Sequence, residues 1–501
     1  VQKKVRALIN WLNAIFGDKL SLIVTLINIL SIIILLFFER KKPEAALSWI
    51  LIIIFFPITG VILYVLFGET LTTRIKTRIK RKPKFDAEVN KLFYDQLDFL
   101  NSSSFELKDS NMEKYIDLIR LNLRQNASLY SQDNVVKIFT SAYEKYQQLL
   151  TDIENAKETI NLLYFIFRDD DIGRQIVDAL ARKARQGVIV RLCYDEVGSI
   201  LTRRKLFIPL IQAGGKVVKY SPSFLFLKLQ ATFRNHRKIV VIDGKIGYLG
   251  GINIGEEYMG LKRIKCWRDT HVRIIGSSVK MMQLRFFLDW LYVYDDKELT
   301  NFDDEKLELY FPKKINEAKG STGVQIVSSG PDSFEDEIKN GYMKMINSAK
   351  KSILIQTPYF VPDDAFMHSI KIAALSGVDV KVMIPGKPDK ILIYLGTLSY
   401  VSDLLDYGVK VYKYNGFIHS KTIVIDEEVS SIGTTNFDVR SFALNYEVNA
   451  FIYDTNLGIK NTQIFEEDLQ YCTEITKEDF AKMSRIKKFF CAIMRLFTPL
   501  I

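Results

Sequence analysis

Two long apolar runs dominate the start of the chain. Leu20–Phe38 holds 19 residues without a charge and Ala45–Gly68 holds 24. At about 1.5 Å per residue, each is long enough to cross a hydrocarbon layer of roughly 30 Å. They predict transmembrane helices over 20–38 and 45–68, joined by the short turn "ERKKPE". A cleaved leader is disfavoured, because a second span follows at once and no small-residue cleavage site precedes the turn. Apolar positions at helical spacing mark both ends of the chain. Val5, Leu8, Ile9, Leu12, Ile15 and Phe16 share one helical face within 1–19. Phe480, Met483, Ile486, Phe489, Phe490, Ile493 and Phe497 do so within 479–501, interspersed with Lys482, Arg485, Lys487 and Lys488. This is the pattern of interfacial helices. For the last segment, packing on the soluble body is the equal alternative.

Between these ends the pattern is polar and helical over 69–133, a linker loosest at "NSSS" (101–104), and then soluble α/β. Ala156–Phe167 is an apolar, β-rich run. A helical stretch follows and stops at Gly187, and "VIVRLCYD" reads as a buried strand. The order is then replayed: a strand run from Ala349, a helix ending at Gly377, the strand "VDVKVMIP", and "YGVKVYKY" echoing "AGGKVVKY". The fold class is therefore α/β, built as two tandem modules, 134–316 and 317–478, preceded by the hairpin.

Charge adds orientation. The chain carries 69 Lys and Arg against 58 Asp and Glu, net +11, which suits an anionic partner. Seven basic residues and no acid lie in Arg74–Lys84. With the basic N-terminus, this run places both termini and the two α/β modules on the cytoplasmic side of the cell membrane, and it also suits an anionic inner leaflet. Cys193, Cys266, Cys472 and Cys491 form no paired motif and no disulfide framework.

The repeat carries the chemistry. "HRKIVVIDGKIGYLGGIN" begins at His236 and "HSKTIVIDEEVSSIGTTN" at His419, using two of the four histidines. His236 and Lys238, like His419 and Lys421, are two apart on a strand and share a face, so both side chains of each pair can converge on one phosphate. Asp243 and Asp426 close the motifs and join the candidate catalytic set, although Asp243 could merely cap its turn. Gly251 and Thr434, at equal offsets, and Asn253 and Asn436 after them, are candidate phosphate contacts. One such set binds a phosphate. Exchanging a phosphodiester needs a nucleophile on one side and a proton donor opposite, and two copies facing each other across a pseudo-two-fold supply both. Asp269 and Glu447, each on a strand after its motif, could accept an imidazole N–H and fix its tautomer. The alternative is an ion pair with Arg268 or another base. His271 is expected at the position equivalent to Asn449, and His368 is expected to be structural. No metal-binding motif is present, and "RDDD" (168–171) reads as an ordinary acidic loop.

These motifs resemble the two HKD motifs of the phospholipase D superfamily. With "WRDTHVRI", "SSGPDS", "QTPYFVPDD", "SFALNYEVNAF" and the two-span start, nearly the whole chain resembles the bacterial cardiolipin synthase family. Thr434 departs from the serine often found there. The resemblance implies transfer of a phosphatidyl group from one phosphatidylglycerol to another through a phosphohistidine, giving cardiolipin and glycerol. It implies His236 as nucleophile, since the superfamily mostly uses its first motif. A phosphodiester is exchanged for a phosphodiester, so no cofactor is expected, nor is nucleic acid. Other readings are a hydrolytic phospholipase D or transfer to another alcohol, a membrane-tethered nuclease, and a non-catalytic binder of anionic lipid. The sequence leaves the oligomeric state open.

Overall fold

Runs rich in Val, Ile and Leu become strands buried on both faces, as expected of sheets covered by helices on either side. In the computed structural model the described residues are 22–36, 43–67, 92–98, 100, 106–221, 234–300, 304–313, 315, 319–331, 333 and 335–497. The 1–19 segment, the 74–84 basic run and "NSSS" lie outside them. The chain divides into two units, one essentially the N-terminal hydrophobic region and the other the α/β body.

The body contains one 15-stranded sheet. In the first half, β1 is Tyr130–Phe139, β2 Thr159–Tyr164, β3 Ile189–Asp195, β4 Lys216–Tyr220, β5 Ile239–Ile242, β6 Ile246–Gly250 and β7 His271–Ile275. In the second, β8 is Thr322–Ser329, β9 Ser352–Gln356, β10 Asp379–Pro385, β11 Lys410–Tyr414, β12 Thr422–Ile425, β13 Val429–Gly433, β14 Glu447–Tyr453 and β15 Cys472–Ile475. The spatial order is β15-β11-β10-β9-β12-β13-β14-β8-β1-β7-β6-β5-β2-β3-β4. Reading outward from the antiparallel β1–β8 pair, each half repeats the same seven-strand sequence, and β15 adds one further antiparallel strand beyond β11. The tandem repeat is thus two half-sheets fused edge to edge. In each, three parallel strands are joined to an antiparallel hairpin that carries the His-Lys motif.

The register confirms the repeat in detail. Gly250 pairs with His271 and Gly433 with Asn449, so His271 and Asn449 occupy one structural position. His368 lies exposed on the Asp364–Leu375 helix. The acidic loop at 168–171 is an N-cap: Asp170 accepts the Gly173 N–H, as Asp363 accepts that of Phe366 in the second module.

Two expectations are corrected here. Asp243 and Asp426 are spent on the fold. Each lies in a turn at positive φ (53° and 54°). Asp243 accepts the N–H groups of Lys157, Glu158 and Thr159 at 2.8–2.9 Å, and Asp426 those of Lys350, Lys351 and Ser352 at 2.7–2.9 Å. Each carboxylate thereby pins the start of the neighbouring strand, at the far end of its own strand from the histidine. Asp426→Ala should cost about 2–4 kcal/mol, because it strands three donors; the better-solvated Asp243→Ala should cost less. A shift of the denaturant midpoint checks both. Residues 106–133 are not a linker either. Met112, Tyr115, Leu118, Ile119 and Leu123 are buried in the second module's core with Tyr342 and Ile346, and Tyr130 already belongs to β1.

Among the described residues of the N-terminal unit, no helix is long and apolar enough to cross a membrane. Residues 22–36 are helical, and the expected 45–68 span is divided into helices Pro43–Phe55 and Pro57–Phe67. Pro57 brings no N–H, so the ladder runs as far as Phe56 N to Ile52 O (2.8 Å), skips the bond Pro57 would have made, and is present again at Gly60 N to Phe56 O (2.5 Å). Leu35, Ala46, Trp49, Ile53 and Tyr64 are buried together, Trp49 and Tyr64 edge to face at 5.5 Å.

At the other end, the single expected stripe is two helices, Lys477–Lys482 and Arg485–Phe497. The second packs one face on the Ile391–Asp406 helix. Arg495 pairs with Asp403 at 2.7 Å and covers the Tyr400 ring, while Cys491 and Met494 are buried. Ile486, Phe489, Phe490 and Leu496 remain exposed on the other face.

Candidate active site

Both motif histidines begin where a module's hairpin meets the opposite module. Backbone bonds stitch each junction: His236 N to Tyr446 O (3.0 Å) and Tyr446 N to Arg234 O (2.9 Å) on one side, His419 N to Arg268 O (2.6 Å) and Phe417 N to Cys266 O (2.8 Å) on the other. Phe417–Ile418 accordingly pairs in parallel with Trp267–Arg268. The consequence is an exchange of carboxylates. His236 Nδ1 lies 3.0 Å from both oxygens of Glu447, and His419 Nδ1 lies 2.6 Å from Asp269 Oδ2.

The tautomers follow from the neighbours. Glu447, and the Thr434 carbonyl at 3.1 Å, can only accept, so His236 Nδ1 carries the proton. The same holds for His419 against Asp269. In both rings Nε2 keeps its lone pair for the site. Each carboxylate is braced: the Thr270 N–H donates to Asp269 at 2.7 Å, and Asn445 Nδ2 to Glu447 at 3.3 Å. Burial raises both acids, but the cations around them hold both below the ordinary carboxylate range, Lys421 and His419 for Asp269, His236 and Lys238 for Glu447.

Lys238 and Lys421 are buried, and each donates to the carbonyl of its own histidine, Lys238 at 2.6 Å. Burial pushes Lys238 down to about 7 and Lys421 to about 8, Glu447 and Asp269 opposing the shift. Burial also lowers both imidazoles to about 4, against the pull of Glu447 and Asp269. Two dry imidazoles and two desolvated ammonium groups form a site whose field is strong because water is excluded.

The candidate phosphate contacts divide. Asn253 Oδ1 accepts the Ile166 N–H (3.0 Å), which aims its amide nitrogen; one amide hydrogen goes to Tyr258 Oη (3.0 Å) and the second is left over. Asn436 Nδ2 reaches Ser441 Oγ at 3.2 Å. Gly251 and Thr434 serve the carboxylates instead. A Cβ on Gly251 would lie 2.0 Å from Asp269 Oδ1, so glycine there makes room for the acid. Thr434 exchanges hydrogen bonds with Val448 and offers its carbonyl to His236.

The sequence reading missed the aromatic walls. The Phe165 ring is 4.9 Å from His236 and lies under Lys238, and Trp267 and Phe417 flank His419 at 5.3 and 5.5 Å. It also missed Arg237, fully buried and paired with Asp289 at 2.7 Å. The one available signal was their position beside residues already singled out.

The family model described as "Cardiolipin synthase, PLD-like domain" matches residues 149–283 and 342–469, one match per module, and "Phospholipase_D-nuclease N-terminal" matches 26–69. The chain is 44% identical over 484 residues to the major cardiolipin synthase of Bacillus subtilis, covering 95% of this chain and 98% of that one. The chain belongs to the bacterial cardiolipin synthase family. Its likeness to other members of that family is of the same order: 45% over 479 residues for a cardiolipin synthase of Staphylococcus aureus (95% of each chain) and 43% over 485 for one of Listeria welshimeri (96% and 99%). Among solved structures, phosphatidylserine synthase of Haemophilus influenzae superposes with TM-score 0.56 at 16% identity, covering 76% of this chain and 97% of that one. That likeness concerns the fold alone.

The titrations give a pH expectation. Below about pH 4 both imidazoles are charged and no nucleophile remains. As pH rises through 7 to 8, Lys238 and Lys421 lose the charge that attracts an anionic phosphodiester. kcat/KM should therefore be bell-shaped: its acid limb marks loss of the neutral imidazole, and its alkaline limb begins with loss of the imidazolium proton donor and is completed between 7 and 8 as the lysines discharge. Lys421→Arg should move that limb upward, which a pH series on both proteins measures.

Proposed function

We propose that the chain is a cardiolipin synthase that transfers a phosphatidyl group between two phosphatidylglycerol molecules. The carrying observation is the pair of imidazoles, each with Nδ1 tied to the opposite module's carboxylate and Nε2 left for reaction. Identity of 42–45% to cardiolipin synthases over nearly the full chain supplies the substrate class.

In this reading His236 Nε2 attacks phosphorus, and the P–O bond to the head-group glycerol breaks. Protonated His419 delivers its proton to the leaving alkoxide, and glycerol departs. His419, now neutral, takes the proton from the terminal hydroxyl of the second phosphatidylglycerol. That oxygen attacks the phosphohistidine, the P–N bond breaks, and cardiolipin forms. Lys238, Lys421, Asn253 and Asn436 hold the non-bridging oxygens as charge builds. Glu447 and Asp269 keep the tautomers and offset each imidazolium.

The membrane supplies both substrates. The apolar N-terminal helices, read as a two-span anchor kinked at Pro57, hold the catalytic body at the cytoplasmic face. Protease added to intact cells should then spare residues 85–501, while inside-out vesicles should lose them. The activity test is incubation of the full-length protein with labelled phosphatidylglycerol alone. Cardiolipin and glycerol in equal amounts are expected. Phosphatidic acid as the main product would make it a hydrolase.

A further inference from the structure

Each module follows its second parallel strand with a loop fastened beside the site. In the first, Asp195 accepts the N–H groups of Val197 (3.0 Å) and Gly198 (2.9 Å), and also that of Asn235 (3.0 Å), the residue before His236. Ser199 Oγ bridges the Phe165 carbonyl (3.1 Å) and the Phe167 N–H (3.0 Å), behind the ring that touches His236. The next two residues, Ile200 and Leu201, are 75% and 74% exposed. In the second module the loop after β10 is fastened by Asp389, which accepts the Tyr359 hydroxyl at 2.6 Å and acts electrostatically on Lys421. It leads into Ile391 and Leu392, 61% and 57% exposed.

Single exposed aliphatic residues need no explanation. Two adjacent pairs, after equivalent strands on the two sides of one site, do. The backbone beneath them is held, so their exposure is built in. The charges beside them have one sign: Arg203, Arg204 and Lys205 are exposed after the first pair, and Lys387 and Lys390 around the second. Glu196 is engaged with Lys219 and Asp389 with Tyr359; Lys205 lines a cleft with Asp169 and Asp178, which leaves Arg203 and Arg204 as the collar beside the first pair. Aliphatic tips within a basic collar match an anionic bilayer, where the tips enter the acyl boundary and the cations meet lipid phosphates.

We propose that Ile200, Leu201, Ile391 and Leu392 form a bilayer-docking rim that seats the mouth of the site on an anionic lipid surface. The scissile phosphodiester then reaches the histidines without the lipid leaving the membrane. This role rests on the phosphatidyl-transfer reading, since only a lipid substrate needs it.

The test uses the full chain reconstituted in vesicles of phosphatidylglycerol and phosphatidylcholine with brominated acyl chains. With exposed Cys266 replaced by serine, Leu201→Cys and Leu392→Cys each carry an environment-sensitive fluorophore. Lys157→Cys, by Asp243 at the opposite end of β2, is the control. Labels at 201 and 392 should be quenched and blue-shifted, and the label at 157 should not. In unlabelled protein, the double variant Leu201→Ser, Leu392→Ser should lower the ratio of turnover on bilayers to turnover on detergent-dispersed lipid by about tenfold. No quenching at 201 and 392, equal quenching at 157, or an unchanged ratio would overturn the rim. Quenching at 201 and 392 in a protein that makes no cardiolipin would keep the rim and sink the transfer reading.

Discussion

His236→Ala and His419→Ala should each lower kcat/KM for phosphatidyl transfer by roughly 10⁴-fold or more, with the double variant scarcely worse, because the two rings act as one unit. Neither role has a substitute in the site. Without Nε2 of one ring there is no attack on phosphorus; without the proton of the other, the glycerol alkoxide is a poor leaving group. The two variants separate the roles. With a substrate whose leaving group needs no proton, His419→Ala should still form an acid-labile adduct, and His236→Ala should form none. Mapping the labelled peptide after rapid quench decides the order. Label on the peptide containing His419 would reverse the assignment, and near-normal turnover in either single variant would sink the two-histidine mechanism.

Glu447→Gln and Asp269→Asn should cost on the order of 10²–10⁴-fold in kcat while leaving the fold intact. An amide can present N–H to Nδ1, which moves the ring proton to Nε2 and removes the nucleophile's lone pair. The imidazolium also loses its counter-charge. The exchange of carboxylates adds a sharper expectation. Glu447 lies in the second module yet serves His236 in the first, so Glu447→Gln should abolish adduct formation. Asp269→Asn, acting on the proton donor, should spare it when the leaving group is good. Burst amplitude in rapid-quench experiments reads both. Equal loss of the adduct in the two variants would show that the carboxylates are not tied to separate steps.

Much of this was legible in the chain because it is local and periodic. Strand spacing puts His236 with Lys238 and His419 with Lys421 on one face. Equal offsets from the histidines to Asn253 and Asn436 announced a duplicated motif, and the echo of strand, helix and strand announced two modules. The helix stops at Gly187 and Gly377 were equally plain, and both glycines adopt positive φ. Residue types fixed these features, and residue types act over a few positions.

What only the tertiary structure decided depends on groups far apart in sequence. Asp243 and Asp426 closed the motifs and so joined the candidate catalytic set, but they lie seven residues from their histidines along an extended strand, whose far end meets the N–H groups opening β2 and β9. Gly251 looked like room for phosphate; the atom it makes room for belongs to Asp269. The second apolar run gave length and hydrophobicity but left open how Pro57 would divide the helix. Above all, a repeat cannot say which carboxylate faces which imidazole. Asp269 sits 33 residues after His236, and only the stitching of each hairpin to the opposite module hands it to His419 at 2.6 Å. Spacing along a chain fixes directions on one strand. The partner across an interface is set by how two folded halves pack.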